Sequence, residues 1–180
     1  PSEAGSLIIQ LTIGCARNTC TFCNMYKDKK FRVRTMEEIM KDLLEAQAMY
    51  GPYVRRVFLA DGDALVMKTE DILTILKAVE ELFPNAERVS SYGTAQDILR
   101  KSEEELKSLQ KAGLGIVYVG AESGDDEILA SICKGVTAEE LKAAGQKLKR
   151  CGIQTSVTLI SGLGGRSKVE EHARSCAALI

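Results

Sequence analysis

Ile13-Gly-Cys15-Ala-Arg-Asn-Thr-Cys20-Thr-Phe-Cys23 follows directly on the apolar run that begins at Leu7. The run reads as a buried strand, and the cysteines stand at its carboxyl end with the spacing C-x4-C-x2-C. Three thiolates closing a short loop can hold one face of an iron–sulfur cluster, whose fourth iron then takes a ligand from elsewhere. An open iron is a site for chemistry. Gly14 suits the turn off the strand, since it has no Cβ to hinder left-handed backbone angles. The residues leave two other arrangements open: a zinc knot with a fourth ligand, and a fully protein-ligated cluster completed by Cys133, Cys151 or Cys176. His172 is the only histidine, so there is no second ligand pair of the compact zinc type.

Beyond the cysteine loop, apolar stretches rich in branched residues alternate with helical patterns, which predicts repeated strand–helix units on a parallel sheet. Five units are visible. The first strand is expected over Leu7 to Ile13 and its helix over Met36 to Tyr50, opened by the capping box Thr35-x-x-Glu38. Val57 to Ala60 leads through Asp61-Gly62-Asp63 to a helix starting at Thr69. The third strand lies near Arg88 to Ser91, before a helix capped by Ser102 with Glu105 and ended by Gly113. Ile116 to Val119 precedes Gly120-Ala-Glu122-Ser-Gly124, a short helix, and a longer one from Ala138 boxed by Thr137 and Glu140. The fifth strand, Gln154 to Ile160, ends in Ser161-Gly162-Leu-Gly164-Gly165, and a last helix opens at Ser167 with Glu170 three residues on. Every unusual segment follows the carboxyl end of a strand, the rim where parallel sheets and barrels carry their sites. The pattern fits a closed or partly closed barrel and an open doubly wound sheet equally.

A chain of 180 residues, 45% hydrophobic, suffices for one domain with its own core. Residues 1–180 read as a single core domain with both ends cut. The 24 basic residues nearly cancel the 25 acidic ones, which argues against a nucleic-acid or membrane partner. No apolar run reaches bilayer length and no signal peptide opens the chain, so the expected location is the cytoplasm, with reduced thiols.

The segment from Gly14 to Tyr26 resembles the cluster loop of the radical S-adenosylmethionine (radical SAM) enzymes, with four residues rather than the usual three between the first two cysteines. The resemblance implies an α/β fold, a partial parallel (β/α) barrel whose family form has about six units. It implies a [4Fe–4S] cluster on Cys15, Cys20 and Cys23, with Phe22 at the aromatic position before the third cysteine. S-adenosylmethionine would chelate the open iron, and its reductive cleavage would give a 5'-deoxyadenosyl radical that takes hydrogen from a substrate. Asp61-Gly62-Asp63 stands where the family carries Gly-Gly-Glu, whose backbone and carboxylate meet the cofactor's ammonium; the bland reading is an Asp-Gly turn. Glu122 resembles the polar group that meets the ribose or methionine portion, or else is a helix N-terminal charge. Ile160 and Gly162 resemble the segment on which adenine packs.

The run Lys27, Lys29, Lys30, Arg32, Arg34 reads as a solvated loop face, or as a docking surface for a low-potential reductant such as flavodoxin or ferredoxin. Ser90, Ser91 and Tyr92 sit at the third strand's rim as further candidates. His172 reads as a surface or helix-packing residue, and Cys133, Cys151 and Cys176 as small buried hydrophobes. Cys-Thr-Phe-Cys and Ile-Ser-Gly-Leu also resemble oxygen-independent coproporphyrinogen oxidases, the nearest alternative within this chemistry. From another class comes a non-catalytic iron–sulfur electron carrier.

Overall fold

The computed structural model describes residues 3–180; Pro1 and Ser2 lie outside them. Five parallel strands form one sheet in the order β1 (Leu7–Gln10), β4 (Arg56–Ala60), β5 (Arg88–Tyr92), β6 (Leu114–Glu122) and β7 (Gln154–Leu159). Between β1 and β4 lies a separate antiparallel pair, β2 (Thr12–Ile13) and β3 (Arg32–Val33). The helices are α1 (Met36–Tyr50), α2 (Thr69–Leu82), α3 (Ala95–Arg100), α4 (Glu103–Lys111), α5 (Asp126–Ser131), α6 (Ala138–Arg150) and α7 (Val169–Leu179). Each of β1, β4, β5 and β6 is followed by helix before the chain returns to pair beside it, as the alternating pattern requires. The fold is α/β, a mostly parallel five-stranded sheet with flanking helices, the architecture expected of a partial (β/α) barrel.

Local chemistry sets these elements. Thr35 with Glu38, Ser102 with Glu105, and Thr137 with Glu140 form complete capping boxes on α1, α4 and α6. Gly113 and Gly152 follow α4 and α6 with φ of 108° and 77°, angles that an L side chain resists. The period-2 alternation of the strands then sorts their side chains. Ile9, Val57, Leu59, Val89, Val117 and Val119 are buried, in one core with Leu43, Ile75, Leu76, Leu109 and Leu148 of the helices. Positions of the opposite parity line the inner face. There the rings of Phe58, Tyr92 and Tyr118 meet edge to face, with centroids 4.8, 5.8 and 6.1 Å apart. Below them Glu3 accepts hydrogen bonds from Arg88 (2.8 Å) and from the Tyr118 hydroxyl, closing the amino end of that face.

Four details differ from the sequence reading. The strand expected over Leu7 to Ile13 ends at Gln10, because Thr12 and Ile13 leave the sheet to pair with β3. The fourth strand is longer, Leu114–Glu122, and contains a register shift between Gly120 and Glu122. The short helix α3 was not expected; its sign is Thr94, whose hydroxyl caps the Asp97 amide (3.2 Å). Ser167 does not cap the last helix: a 3-10 turn, Arg166–Lys168, precedes α7, whose N-terminus has no side-chain cap. Among the described residues no helix is long and apolar enough to cross a membrane.

Candidate functional site

The pairing of Thr12–Ile13 with Arg32–Val33 closes the base of the cysteine loop, so residues 14–31 project from the carboxyl rim of β1 as one hairpin. Arg34 fastens the hairpin to the sheet: its amide donates to the Leu11 carbonyl (3.0 Å) and its guanidinium to the Gln10 carbonyl (2.9 Å) and Asp42. Inside the loop, Asn18 donates to the Tyr26 carbonyl (2.7 Å), and the Cys23 amide to the Cys20 carbonyl (3.4 Å). Cys15, Cys20 and Cys23 are free and half-buried. Burial pushes the Cys20 thiol up; the charge of Lys134 and, less, of Arg17 pulls it down, and Cys15 and Cys23 push it up further.

Asp61 and Gly62, at the end of β4, hold the loop from below. The Asp61 carboxylate accepts from the Gly14 amide (3.2 Å), the Tyr26 hydroxyl (2.8 Å) and Gln10 (3.4 Å), with Lys29 3.7 Å away. Burial and that bond to Asp61 raise the Tyr26 phenol well above its usual range. The Gly62 amide donates to the Gly14 carbonyl (3.2 Å). A Cβ at Gly62 would stand 2.9 Å from the Tyr26 ring, 3.0 Å from Cys15 Cβ and 3.1 Å from the Gly14 carbonyl oxygen, so only glycine permits this approach.

Asp63 lies elsewhere. It is 1% exposed and faces Asp97 at the start of α3, and one of its oxygens has no partner. Burial first, then the hydrogen bond and charge of Asp97, push its carboxyl up to about 8. Asp97 itself is bonded to Thr94 (2.6 Å) and paired with Arg100. The structure thus joins Asp61 and Gly62 to the cysteine loop and turns Asp63 into the interior.

On the far side of the loop, the register shift in β6 turns Glu122 into a left-handed conformation (φ 67°). Its Oε1 accepts from Lys134 Nζ (3.1 Å), while its Oε2 is buried without a partner. A buried carboxylate oxygen left unmatched marks a place where a donor belongs. Lys134 Nζ also lies 5.9 Å from the centre of the Phe22 ring, linking the pair to the cysteine loop. Half-buried Ile160 donates its amide to the Glu122 carbonyl (3.0 Å), which brings the end of β7 to the same rim. Gly162 is required by its φ of 85° rather than by crowding, for a Cβ there would meet nothing within 4 Å.

The other candidates make structural contacts. Ser90 and Ser91 are buried and donate to the Val57 and Leu59 carbonyls (3.5 and 3.2 Å). Four of the five cations in the basic run are engaged: Lys29 with Asp61, Arg32 with Glu38, Arg34 with Asp42, and Lys27 with the Asn18 carbonyl. His172 is buried, 5% exposed. Cys151 is buried against the Glu103 carbonyl (3.6 Å) and Cys176 sits on α7, whereas Cys133 is exposed, and its carbonyl accepts from the Thr19 hydroxyl (3.3 Å). Sequence reasoning missed Tyr26, Lys134 and the turn carrying Lys134. Tyr26 had a sign in its place three residues after the triplet, but nothing in one sequence pairs Lys134 with Glu122.

The family model described as the radical SAM superfamily matches residues 9–176. The chain belongs to the radical SAM superfamily. It is 26% identical over 163 residues to a Methanocaldococcus jannaschii protein named as a methylthiotransferase, a match covering 88% of this chain and 35% of the relative. This radical SAM chain thus spans about a third of that relative's length. Among solved structures it is similar to the radical SAM methyltransferase TsrM from Kitasatospora setae, described with cobalamin and a [4Fe–4S] cluster bound (TM-score 0.70, 20% identity, 97% of this chain and 35% of that one). It is similar also to coproporphyrinogen III oxidase of Escherichia coli (TM-score 0.69, 18% identity, 97% of this chain and 42% of that one). At these identities the structures establish the fold.

The thiol donors fit the cluster that a radical SAM core implies. A four-iron cluster takes each thiolate on a different iron, so its donors stand apart around a common space. Among the described residues no three Cys, His, Asp or Glu side chains gather as the ligands of a single ion would. Cys15, Cys20 and Cys23 are free, half-buried thiols on one loop, the donor type such a cluster takes.

Proposed function

We propose that this chain is the catalytic core of an enzyme that reductively cleaves S-adenosylmethionine. When bound, the [4Fe–4S] cluster and the cosubstrate supply an electron and a 5'-deoxyadenosyl radical that removes hydrogen from a substrate. The observation that carries this reading is the thiol loop held between the Asp61–Gly62 rim and the Glu122–Lys134 pair.

Cys15, Cys20 and Cys23 hold the cluster in this reading. Lys134 takes the carboxylate of the amino-acid end, and the free Oε2 of Glu122 accepts from its ammonium or from a ribose hydroxyl. Gly62 opens the backbone to the same end; Asp61 orients the loop through Gly14 and Tyr26. Asp63 acts from beneath, through the segment it anchors in the core, rather than by contact. Phe22, Ile160 and the turn at Gly162 flank the nucleoside. The rings of Phe58, Tyr92 and Tyr118 give the inner face an apolar wall against which a substrate would lie. Exposed Lys30, with the rest of the basic run from Lys27 to Arg34, suits an acidic low-potential reductant such as flavodoxin or ferredoxin. The substrate is a small molecule or one that this core does not define, and the naming of the jannaschii relative supports a transferase. A coproporphyrinogen oxidase-like activity remains the alternative within this chemistry. The experiment is anaerobic reconstitution, reduction and assay of 5'-deoxyadenosine. Release that depends on Cys20 supports the reading, and a Cys20→Ala variant as active as the parent contradicts it.

The position of Cys133 favours one second reading, an electron carrier whose fourth ligand is that thiol, because its backbone already touches the cysteine loop. A Cys133→Ala variant that keeps its full iron and sulfide content rejects it.

A further inference from the structure

Four consecutive residues of the turn between α5 and α6 each touch the cysteine loop. The Ile132 carbonyl accepts from the Thr21 amide (3.0 Å). The Cys133 carbonyl accepts from the Thr19 hydroxyl (3.3 Å). Lys134 lies over the Phe22 ring. Gly135 carries the Arg17 guanidinium so closely that a Cβ would coincide with it. Cys133 and Gly135 both have positive φ (54° and 62°), which folds the turn tightly and points successive carbonyls toward the loop. Gln96 of α3 donates to the Gly135 carbonyl (2.7 Å) and fixes the turn to the body of the protein.

We propose that residues 132–135 form a seat that shapes the cysteine loop before any metal arrives, with Thr19 and Gly135 as its positioning residues. The proposal takes from the reading above the role of the loop as cluster holder. In the loop, Thr19 and Thr21 bracket Cys20, so seating them fixes where that sulfur points. Because Lys134 belongs to the same turn, the seat also sets the distance between the thiols and the Glu122–Lys134 pair. Gly135 cannot be replaced freely: a side chain there would displace Arg17 and resist the left-handed backbone.

The test is amide hydrogen exchange of the whole chain without metal, read at Thr21 and across residues 17–23, with the amides of α1 and β4 as folding controls. Thr19→Val removes the hydroxyl and keeps the branched shape. It is expected to speed Thr21 exchange by about fivefold, while Thr19→Ser restores the parent rate. Gly135→Ala is expected to speed it at least as much. Equal rates in parent, Thr19→Val and Thr19→Ser would overturn the proposal, as would a parent loop that exchanges at the unprotected rate. If Gly135→Ala disturbs the control amides, the two Thr19 variants decide. Since no cluster is present, failure here leaves the cofactor reading intact. Normal exchange in a chain that never yields 5'-deoxyadenosine would fault that reading and leave the seat standing.

Discussion

Replacing Asp63 with Asn should stabilise the metal-free chain at high pH and leave it nearly unchanged at low pH. Asp63 is buried against Asp97, with its folded pKa pushed up to about 8 from an ordinary value of 3.8. Between those two values the folded chain keeps a proton that the unfolded chain releases, so stability falls as pH rises through this window and levels off above it. A shift of roughly four units, at about 1.4 kcal/mol each, sets an upper limit of about 6 kcal/mol. Separation of the ionised pair and entry of water reduce the observable cost to roughly 2–3 kcal/mol. Asn is uncharged at every pH and can still donate to Asp97, as the protonated acid does. Urea unfolding of parent and Asp63→Asn at pH 5, 7 and 9 gives the answer as a difference, from which groups not coupled to the Asp63–Asp97 pair cancel. The gap should widen with pH, to roughly 2–3 kcal/mol at pH 9 in favour of the variant. A constant gap across the series would refute the argument.

Further consequences concern the rim. Gly62→Ala should destabilise the chain by about 1–3 kcal/mol, because two of the three crowded neighbours, Cys15 Cβ and the Gly14 carbonyl, are backbone or next to it; thermal unfolding checks this. Asp61→Asn and Tyr26→Phe should each lower stability by about 1 kcal/mol or more and be non-additive in a double-mutant cycle, since they share one hydrogen bond of 2.8 Å. Lys134→Met should weaken S-adenosylmethionine binding at least tenfold in equilibrium dialysis while iron content stays near that of the parent, because it removes the carboxylate partner and none of the sulfur ligands.

The sequence was readable where a short-range rule governs. Capping boxes at Thr35, Ser102 and Thr137 placed three helices, and branched apolar runs placed the five parallel strands. The cysteine spacing marked the loop. Contacts between distant segments were not readable: Asp61 to Tyr26, Lys134 to Glu122 and Arg17 to Gly135 depend on which rim segments the sheet order makes neighbours. The orientation of Asp63 followed from the same limit. An Asp-Gly-Asp turn has the composition for carboxylates facing a ligand, but Asp97 and Thr94 of the unforeseen helix α3 form a polar niche that receives Asp63 inside the protein.

In the proposed function, three sulfur ligands leave one iron for the amino-acid end of S-adenosylmethionine. Electron–nuclear double resonance on the reduced, reconstituted chain with cosubstrate carrying 15N in its amino group tests it directly. A nitrogen coupling to the cluster, absent when unlabelled cosubstrate is used, is the predicted result. A cluster spectrum that carries no such coupling and is indifferent to added cosubstrate would contradict the account.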